Sequence, residues 1–305
     1  MATKSEVDIC VVGSANLDIV VPVPHHPIAG ETVLGGDHVR VSGGKGANQA
    51  VAAARLGRSV VFVGCVGDDP AGEELRDALV ADDIDVSLLR VVPNTPSGIA
   101  LIGVGPDGDN SIIVSPGANG RVDEAHIEAA GAALQIAKVT LLQLEVPVES
   151  ITEAAESAGG LVVLNPAPAQ ALTSRLLESV DVLVPNETEL ALLSGSDVAT
   201  TFDEIVDQAR LLPAARTVVT LGAQGALLVD ETEVHHQPAP TVAAVDTTAA
   251  GDAFCGALAD VLAEGGTLTD AMAWGVMVGA ATTLRFGAQS SLPTAGEVAD
   301  LLQLP

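Results

Sequence analysis

The chain reads Asp246-Thr247-Thr248-Ala249-Ala250-Gly251-Asp252 directly before an apolar run with helical spacing. Within residues 254–262 the apolar side chains recur at i, i+3, i+4, i+7 and i+8, and Gly265-Gly266 ends the pattern. Small residues at a helix start leave backbone N–H groups accessible, and the helix dipole favours an anion there. The sequence therefore predicts an anion-binding helix start at Ala249, Ala250 and Gly251, with the Asp252 carboxylate in the first turn as a candidate base.

A second stretch, Gly43-Gly44-Lys45-Gly46-Ala47-Asn48-Gln49, also precedes a predicted helix, which covers residues 47–56 and is ended by Gly57. A helix of small residues can approach a sheet closely, while Lys45 and Asn48 stay at its open end. Taken alone, such a glycine-rich stretch is more typical of a structural turn than of a ligand loop. Its function therefore depends on what the fold brings beside it.

Strand-like apolar runs alternate with helical patterns along most of the chain. The strand-like runs are residues 9–12, 60–63, 139–144, 161–164, 182–184 and 218–221, and helical patterns between them include 71–81, 149–158 and 203–212. This alternation is typical of a parallel sheet with helices on both faces. We therefore predict an α/β fold with a Rossmann-like, mainly parallel central sheet flanked by helices.

Two segments break this alternation and are predicted to form β-hairpins. Residues 19–41 turn at Gly35-Gly36-Asp37, and residues 99–114 turn at 106–110. An isolated hairpin is marginal in water, so these pieces must pack on the main domain, on each other or on a second subunit. We expect a single domain over residues 1–305 with a small β-sheet lid, formed by about 17–42 and 97–115, that also makes a homodimer.

The composition excludes several classes of function. With 40 acidic and 13 basic residues the formal charge is −27, which disfavours nucleic acid and anionic membranes as partners. The longest uncharged apolar run, residues 271–284, is too short to span a bilayer, and the N-terminus lacks a signal-peptide pattern. Three isolated cysteines suit reduced thiols, so we expect a cytoplasmic protein. Its acidity fits either solubility or adaptation to high salt.

Polar residues recur just after predicted strands, at the edge where open α/β sheets bind ligands. They are Asn16 and Asp18, Glu145, Asn165, Asn186 and Glu189, and residues 220–225. Asn16 and Asp18 alone could be turn formers. A purely structural sheet has no need of the whole set, so the sequence predicts a ligand site at this edge.

At these positions the chain resembles the ribokinase family, within the larger group of sugar and nucleoside kinases, from about Val11 to Pro293. The resemblance is carried by Ser14-Ala15-Asn16-Leu17-Asp18, Gly30-Glu31-Thr32, residues 43–53, Gly67-Asp68-Asp69, Gly117-Ala118-Asn119, Gln143-Leu144-Glu145, Asn165-Pro166-Ala167-Pro168, Pro185-Asn186-Glu187, Thr220-Leu221-Gly222, residues 246–252 and Gly287-Ala288-Gln289.

The resemblance implies ATP-dependent phosphorylation of a free sugar, with D-ribose as first choice and its 5-hydroxyl as acceptor. Asp252 is then the base, and the N–H groups of Ala249, Ala250 and Gly251 hold the developing charge of the phosphoryl group. The alternative for Asp252 alone is an ordinary helix-capping carboxylate. Much of the wider group has glycine at the position of Ala249, where alanine would store about 1 kcal/mol of strain if φ were positive.

The resemblance also implies three sets of binding residues. The sugar set is Asn16, Asp18, Gly44, Lys45, Gly46, Asn48 and Glu145. The nucleotide set is Asn186, Thr220, Gly222, Gly225, Gly251 and Val276, of which Val276 can only pack against adenine. A K⁺ ion falls to Asp246, Thr248, Thr282, Arg285, Gly287 and Ser291. Mg²⁺ is expected to arrive bound to ATP, with Glu189 close to its water shell. The alternative for Asp246 is that it braces its loop and holds no ion.

The choice of substrate follows from what the lid segments lack. Phe62 is the only aromatic residue before Phe202, which disfavours a nucleoside that would stack on aromatic rings. A phosphorylated sugar needs basic side chains near the acceptor, and apart from Lys45 and Arg40 the lid segments supply none. A neutral sugar fits best, with deoxyribose or fructose as alternatives to ribose. A non-catalytic sugar-binding regulator is the alternative from another class.

Overall fold

The computed structural model describes residues 7–302. Its strands are β1 Ile9–Val12, β2 Asn16–Pro22, β3 Val39–Gly43, β4 Val60–Gly67, β5 Leu89–Val92, β6 Gly98–Val104, β7 Asn110–Ser115, β8 Val139–Leu142, β9 Leu161–Leu164, β10 Val182–Leu183, β11 Thr217–Thr220, β12 Ala226–Val229 and β13 Val234–Gln237. Its α-helices are α1 Lys45–Arg55, α2 Pro70–Ala81, α3 Glu124–Ile136, α4 Val148–Ser157, α5 Ser174–Glu178, α6 Glu187–Ser194, α7 Phe202–Ala209, α8 Ala250–Ala263, α9 Leu268–Thr282 and α10 Ala295–Leu301.

The large sheet has the strand order β13-β12-β11-β10-β9-β8-β1-β4-β5. Its strands from β11 to β5 pair in parallel, whereas β12 and β13 pair antiparallel at one edge. The predicted mainly parallel sheet is therefore confirmed. The antiparallel edge was not predicted.

Helices cover both faces of this sheet, and β1 shows why its sequence is apolar throughout. Ile9 and Val11 pack into the core beneath α1, α8 and α9, whereas Cys10 and Val12 pack into the core beneath α3 and α4. Successive strand residues point to opposite faces, so a strand covered on both faces needs apolar residues at every position. All three cysteines are buried and unpaired, as expected for reduced thiols.

A second sheet has the order β3-β2-β6-β7. It consists of two antiparallel hairpins, β2–β3 and β6–β7, joined by parallel pairing of β2 with β6. Both predicted hairpins are present and share one small sheet, but the predicted turn of the first was wrong: its strands are joined by residues 23–38, and Gly36 already lies opposite Pro22, to whose carbonyl its N–H donates. All residues of β7 are exposed, so this sheet presents an uncovered face.

Several predicted boundaries were wrong: β4, for example, ends at Gly67 rather than residue 63, and two other differences have a clear physical reason. β8 ends at Leu142 rather than residue 144, because Gln143 leaves the sheet to hydrogen bond with Gln49. α7 ends at Ala209 rather than residue 212, where the chain tightens into turns before Pro213, a residue that disfavours helix at its predecessor. Among residues 7–302, no helix is long and apolar enough to cross a bilayer.

Candidate active site

The N-terminus of α8 is the centre of the site. Ala249 is its N-cap residue, in the left-handed conformation at φ 60°, and provides no side-chain cap. Within the described chain, the N–H groups of Ala249, Gly251 and Asp252 have no acceptor, whereas the N–H of Ala250 lies 3.3 Å from the Thr247 carbonyl. Apart from its chain neighbours and its own helix backbone, no atom lies within 4 Å of the point where a Cβ on Gly251 would sit. Three N–H donors are therefore left without a protein acceptor at a helix start, where the dipole favours an anion. We call residues 249–252 the α8 start.

Two side chains of α1 hold the Asp252 carboxylate. Asn48 Nδ2 donates to Asp252 Oδ2 at 2.9 Å, and Gln49 Nε2 donates to Asp252 Oδ1 at 3.0 Å. The helices approach closely because Gly256 of α8 faces Ala52 of α1. The two glycine-rich stretches, distant in sequence, therefore meet at one carboxylate.

The start of α1, residues 44–47, is closely packed against the segment between β1 and β2. A Cβ on Gly44 would lie 2.7 Å from the Asn16 nitrogen, and one on Gly46 would lie 2.6 Å from the Ser14 nitrogen. Gly44 also has φ 89°, which favours glycine. We call residues 44–47 the α1 start; its glycines are required by backbone packing.

Glu145 follows β8 and joins two other members of the predicted sugar set, Asn16 and Lys45, together with Ser14. Its Oε2 accepts hydrogen bonds from the Lys45 N–H at 3.0 Å, the Ser14 hydroxyl at 2.5 Å and Asn16 Nδ2 at 3.4 Å. Asn119 Nδ2 donates to Asn16 Oδ1 at 2.7 Å and so orients the Asn16 amide. The structure thus brings Asn16, Lys45 and Glu145 together.

Asp18 lies beside this group and is 8% exposed. No described residue donates a hydrogen bond to its carboxylate, and a Cβ on Gly43 would lie 2.2 Å from its Oδ2. Burial, with the negative charges of Glu145 and Asp252, raises the pKa of Asp18 to about 7. The site therefore carries a carboxyl group that is protonated far more readily than an exposed aspartate.

Lys45 is the cation that offsets these carboxylates. Burial alone would lower its pKa, but the charges of Asp252, Glu145 and Glu189 outweigh that effect and raise it. The ammonium group is therefore held firmly charged among several acidic groups.

A cavity of about 210 Å³ connects the α8 start with the predicted nucleotide residues. It is lined by Lys45, Asn165, Ala167, Val184, Asn186, Glu189, Thr220, Thr247, Ala249, Gly251, Asp252 and Cys255. Gly222 and Gly225 follow Thr220 in a short 3-10 turn beside it. Val276 is buried in the core of α9 and does not line this cavity.

Asn186 and Glu189 form a capping box at the start of α6. Asn186 Oδ1 accepts from the Glu189 N–H, and Glu189 Oε2 accepts from the Asn186 N–H, both at 2.8 Å. Burial raises the pKa of Glu189, and Asp252 adds to the shift, while Lys45 and the Asn186 N–H oppose it. Both residues thus have a structural role as well as a place at the cavity.

Asp246 links the loop before α8 to the loop after α9. Its carboxylate accepts from the N–H groups of Thr248 and Gly287, each at 2.9 Å. The other predicted cation residues have internal partners as well: Thr282 Oγ1 donates to Val278 O, Ser291 Oγ to Ala288 O, and Arg285 pairs with Glu297. Residues 7–302 contain no cluster of three or more His, Cys, Asp or Glu side chains suited to a metal.

Sequence reasoning did not assign a site role to Gln49, Ser14 or Asn119. Gln49 directly follows Asn48 in the quoted stretch, but neighbours on a helix point about 100° apart. Only the crossing of α1 over α8 brings both side chains to one carboxylate. The available signal in the sequence was a glutamine within a helix of mainly small residues.

Comparison with known proteins identifies the family. A model of the pfkB family carbohydrate kinase matches residues 7–295. The ribokinase of Bacillus subtilis is 40% identical over 97% of this chain and 99% of its own, and the deoxyribokinase of Salmonella typhi is 38% identical over the same shares. The ribokinase of Arabidopsis thaliana, solved with ribose and ATP, superposes with a TM-score of 0.88 at 33% identity, covering 98% of this chain and 100% of the other. The chain therefore belongs to the pfkB family of carbohydrate kinases, and its fold is the one that its motifs predict.

Proposed function

We propose that this protein transfers the γ-phosphoryl group of ATP to the 5-hydroxyl of D-ribose, giving ribose 5-phosphate. The observation that carries the proposal is the position of Asp252, whose carboxylate lies in one cavity with the open N–H groups of the α8 start. The similarity to ribokinases over nearly the whole chain supports ribose as the acceptor.

In this proposal Asp252 takes the proton of the attacking hydroxyl, and the open N–H groups stabilise charge on the transferred phosphoryl group. Asn48 and Gln49 direct the Asp252 carboxylate. Each preorganised donor in such a site contributes about 3 kcal/mol to the transition state. The N–H groups of Ala249, Gly251 and Asp252 have no acceptor in the described chain, whereas the N–H of Ala250 faces the Thr247 carbonyl. The first three are therefore better suited to this role.

Sugar binding falls to Asn16, Asp18, Gly44, Lys45, Gly46, Asn48 and Glu145. Two acceptors among them lack donors in the described chain: the buried Asn48 Oδ1 and the Asp18 carboxylate. Buried acceptors without donors are costly, and hydroxyl groups are the donors that a sugar supplies. This pattern supports a polyol rather than an anionic substrate.

Nucleotide binding falls to Asn186, Thr220, Gly222, Gly225 and Gly251, with Val276 on the adenine side. Mg²⁺ would arrive bound to the ATP phosphates, with the free Glu189 oxygen near its water shell. This fits the absence of a protein-built metal cluster in residues 7–302.

A K⁺ ion would be held by Asp246, Thr248, Thr282, Arg285, Gly287 and Ser291, through backbone carbonyls together with the Asp246 carboxylate. An oxygen-only set suits a hard cation. Asp246 already ties the two loops that would surround it. The ion would supply positive charge and order near the α8 start.

We further propose that the small sheet is a lid over the sugar and the interface of a homodimer. Its β7 exposes apolar side chains, with Ile113 66% exposed, and its edges are free to pair. We expect the unmodified protein to sediment as a dimer and the Ile113→Lys variant to sediment as a monomer. Buried free thiols and the use of ATP support the cytoplasm as the compartment.

The first experiment is ATP-dependent phosphorylation of ribose with Mg²⁺, in KCl and in NaCl, beside deoxyribose, fructose and adenosine. Ribose turnover that falls at least about 10³-fold in Asp252→Asn is expected. Preference for deoxyribose is the second candidate, because a deoxyribokinase is 38% identical to this chain. Ribose binding without turnover on any sugar would overturn the kinase proposal and support a sugar-binding regulator.

A further inference from the structure

We propose that Gln49 is a positioning residue for the catalytic base, and that its side-chain amide, which also contacts Gln143, directs the Asp252 carboxylate. The inference rests on the proposed role of Asp252. Gln49 and Gln143 are both fully buried, at 0% exposure, and neither lines the cavity. Gln49 therefore acts on the cavity only through the residues it contacts, Asp252 and, at a longer distance, Asn165.

The partners of the Gln49 amide leave it one orientation. Its Oε1 accepts from Gln143 Nε2 at 2.5 Å, while its Nε2 donates to Asp252 Oδ1 at 3.0 Å and to Asn165 Oδ1 at 3.2 Å. Exchanging oxygen and nitrogen would place the Gln49 oxygen against two acceptors and its NH₂ group against a donor. The Asn165 amide, whose Nδ2 donates to the Val184 carbonyl, turns its oxygen toward Gln49 and so favours the orientation in which a Gln49 donor faces the base.

The electrostatic surroundings give this donor its importance. The charged groups that act on Asp252 are Asp18 from β2, Lys45 from α1 and Glu189 from α6, and the neutral Cys255 thiol lies on α8 itself. Like charges favour protonation of a carboxylate, while hydrogen bonds to its ionised form oppose it. With one cation among these groups, the donors from Asn48 and Gln49 hold the Asp252 carboxylate in place against the repulsion of its acidic neighbours.

Gln49 also separates catalysis from sugar binding in a way that Asn48 cannot. Asn48 is assigned both to Asp252 and to the sugar, so its substitution would change KM and kcat together. Gln49 is fully buried and does not line the cavity in which the substrate is proposed to bind. Its loss should change kcat and the pH profile and leave sugar affinity alone.

The test compares Gln49→Met and Gln49→Glu with the unmodified protein. Gln49→Met keeps the volume and removes the donor, so kcat falls about tenfold to hundredfold, as expected for a hydrogen bond to a charged group. The acid limb of the kcat/KM profile moves to higher pH, because a lost donor no longer favours the ionised carboxylate, and the KM for ribose changes little. Gln49→Glu still accepts from Gln143 but turns a second carboxylate oxygen toward Asp252, so its acid limb moves further.

The matched control is Gln208→Met, another buried glutamine whose Nε2 donates to the Asp197 carbonyl, far from the cavity. It is expected to lower the melting temperature and leave kcat and the pH profile unchanged. If Gln49→Met does not fold, Gln49→Glu and Gln143→Met provide the test, since each keeps part of the hydrogen-bonded chain from Gln143 through Gln49 to Asp252. Gln143→Met should shift the acid limb in the same direction and by less. Folded, ribose-binding Gln49 variants with unchanged kcat and acid limb would overturn the inference. Full turnover in Asp252→Asn would instead overturn the proposed function.

Discussion

The α1 start and the α8 start look alike in sequence and differ in what their N–H groups do. At the α1 start the N–H of Lys45 is bound by Glu145, that of Gly46 by the Ser14 hydroxyl and that of Ala47 by the Ser14 carbonyl. At the α8 start the N–H groups of Ala249, Gly251 and Asp252 have no acceptor in the described chain. Both helices lack a side-chain cap, but only α8 leaves donors for a ligand.

The glycines differ in the same way. A Cβ on Gly44 or Gly46 would collide with backbone, whereas the space beside Gly251 is empty. A glycine before a helix can therefore serve close packing of two backbones or access of a ligand to N–H groups. The space around its missing side chain distinguishes the two, and that space is not visible in a single sequence.

The largest expected effect comes from breaking the packed start. In Gly46→Ala the new methyl group would lie 2.6 Å from the Ser14 nitrogen and 2.8 Å from the Gly13 backbone, atoms that have little room to move. We expect a loss of about 3 kcal/mol or more in the free energy of unfolding, measured by urea denaturation. The control is Gly131→Ala in α3, where nothing lies within 4 Å and stability should rise slightly. Equal stability of the two variants would contradict the packing explanation.

The next effect comes from filling the open start. In Gly251→Ala the methyl group meets no protein atom within 4 Å, so the melting temperature should stay the same or rise. The methyl group would occupy the space in which the transferred phosphoryl group is proposed to lie. We expect kcat with ribose to fall about tenfold to hundredfold in steady-state assays. A stable variant with normal kcat would show that the phosphoryl group lies elsewhere.

Gly46 and Gly251 also show which features could be predicted from the sequence alone and which could not. The apolar spacing after residue 252 placed Asp252 in the first turn of a helix, as observed, because helical periodicity is a local property. The alternation of runs likewise predicted the large sheet, and the two segments that break it, with their turn residues, predicted the hairpins. The contacts of Asp252 with Asn48 and Gln49, and the collision that forbids a side chain at Gly46, depend on where α1 crosses α8 and the β1–β2 segment. Such contacts between distant segments leave no periodic pattern in either one.

The third prediction concerns the charge near the α1 start. Because the pKa of Asp18 in the folded state, about 7, is above that of an unfolded chain, its contribution to stability is present at low pH and is lost as pH rises toward about 7. Asp18→Asn removes this titration. The variant should be more stable than the unmodified protein at about pH 8, with a difference that narrows toward about pH 4.5. Denaturation at both pH values measures it, and a difference independent of pH would contradict the raised pKa.

The smallest expected effect concerns the backbone of the α8 start. Asp83, Asn94 and Ala249 are the non-glycine residues with positive φ in the described chain, and alanine is the one among them whose side chain cannot form a local hydrogen bond. Holding alanine at φ 60° costs about 1 kcal/mol, which Ala249→Gly should partly recover, by about 0.5 kcal/mol or more in the free energy of unfolding. Asn94→Gly is the control and should gain less, since asparagine tolerates this conformation.

If Ala249→Gly gains stability and loses turnover, the strained alanine fixes the direction of the open N–H groups, because a looser N-cap would aim them less well. If stability does not rise, the strain is relieved by the surrounding loop, and the open donors owe their direction to Asp246 and the loop after α9 instead.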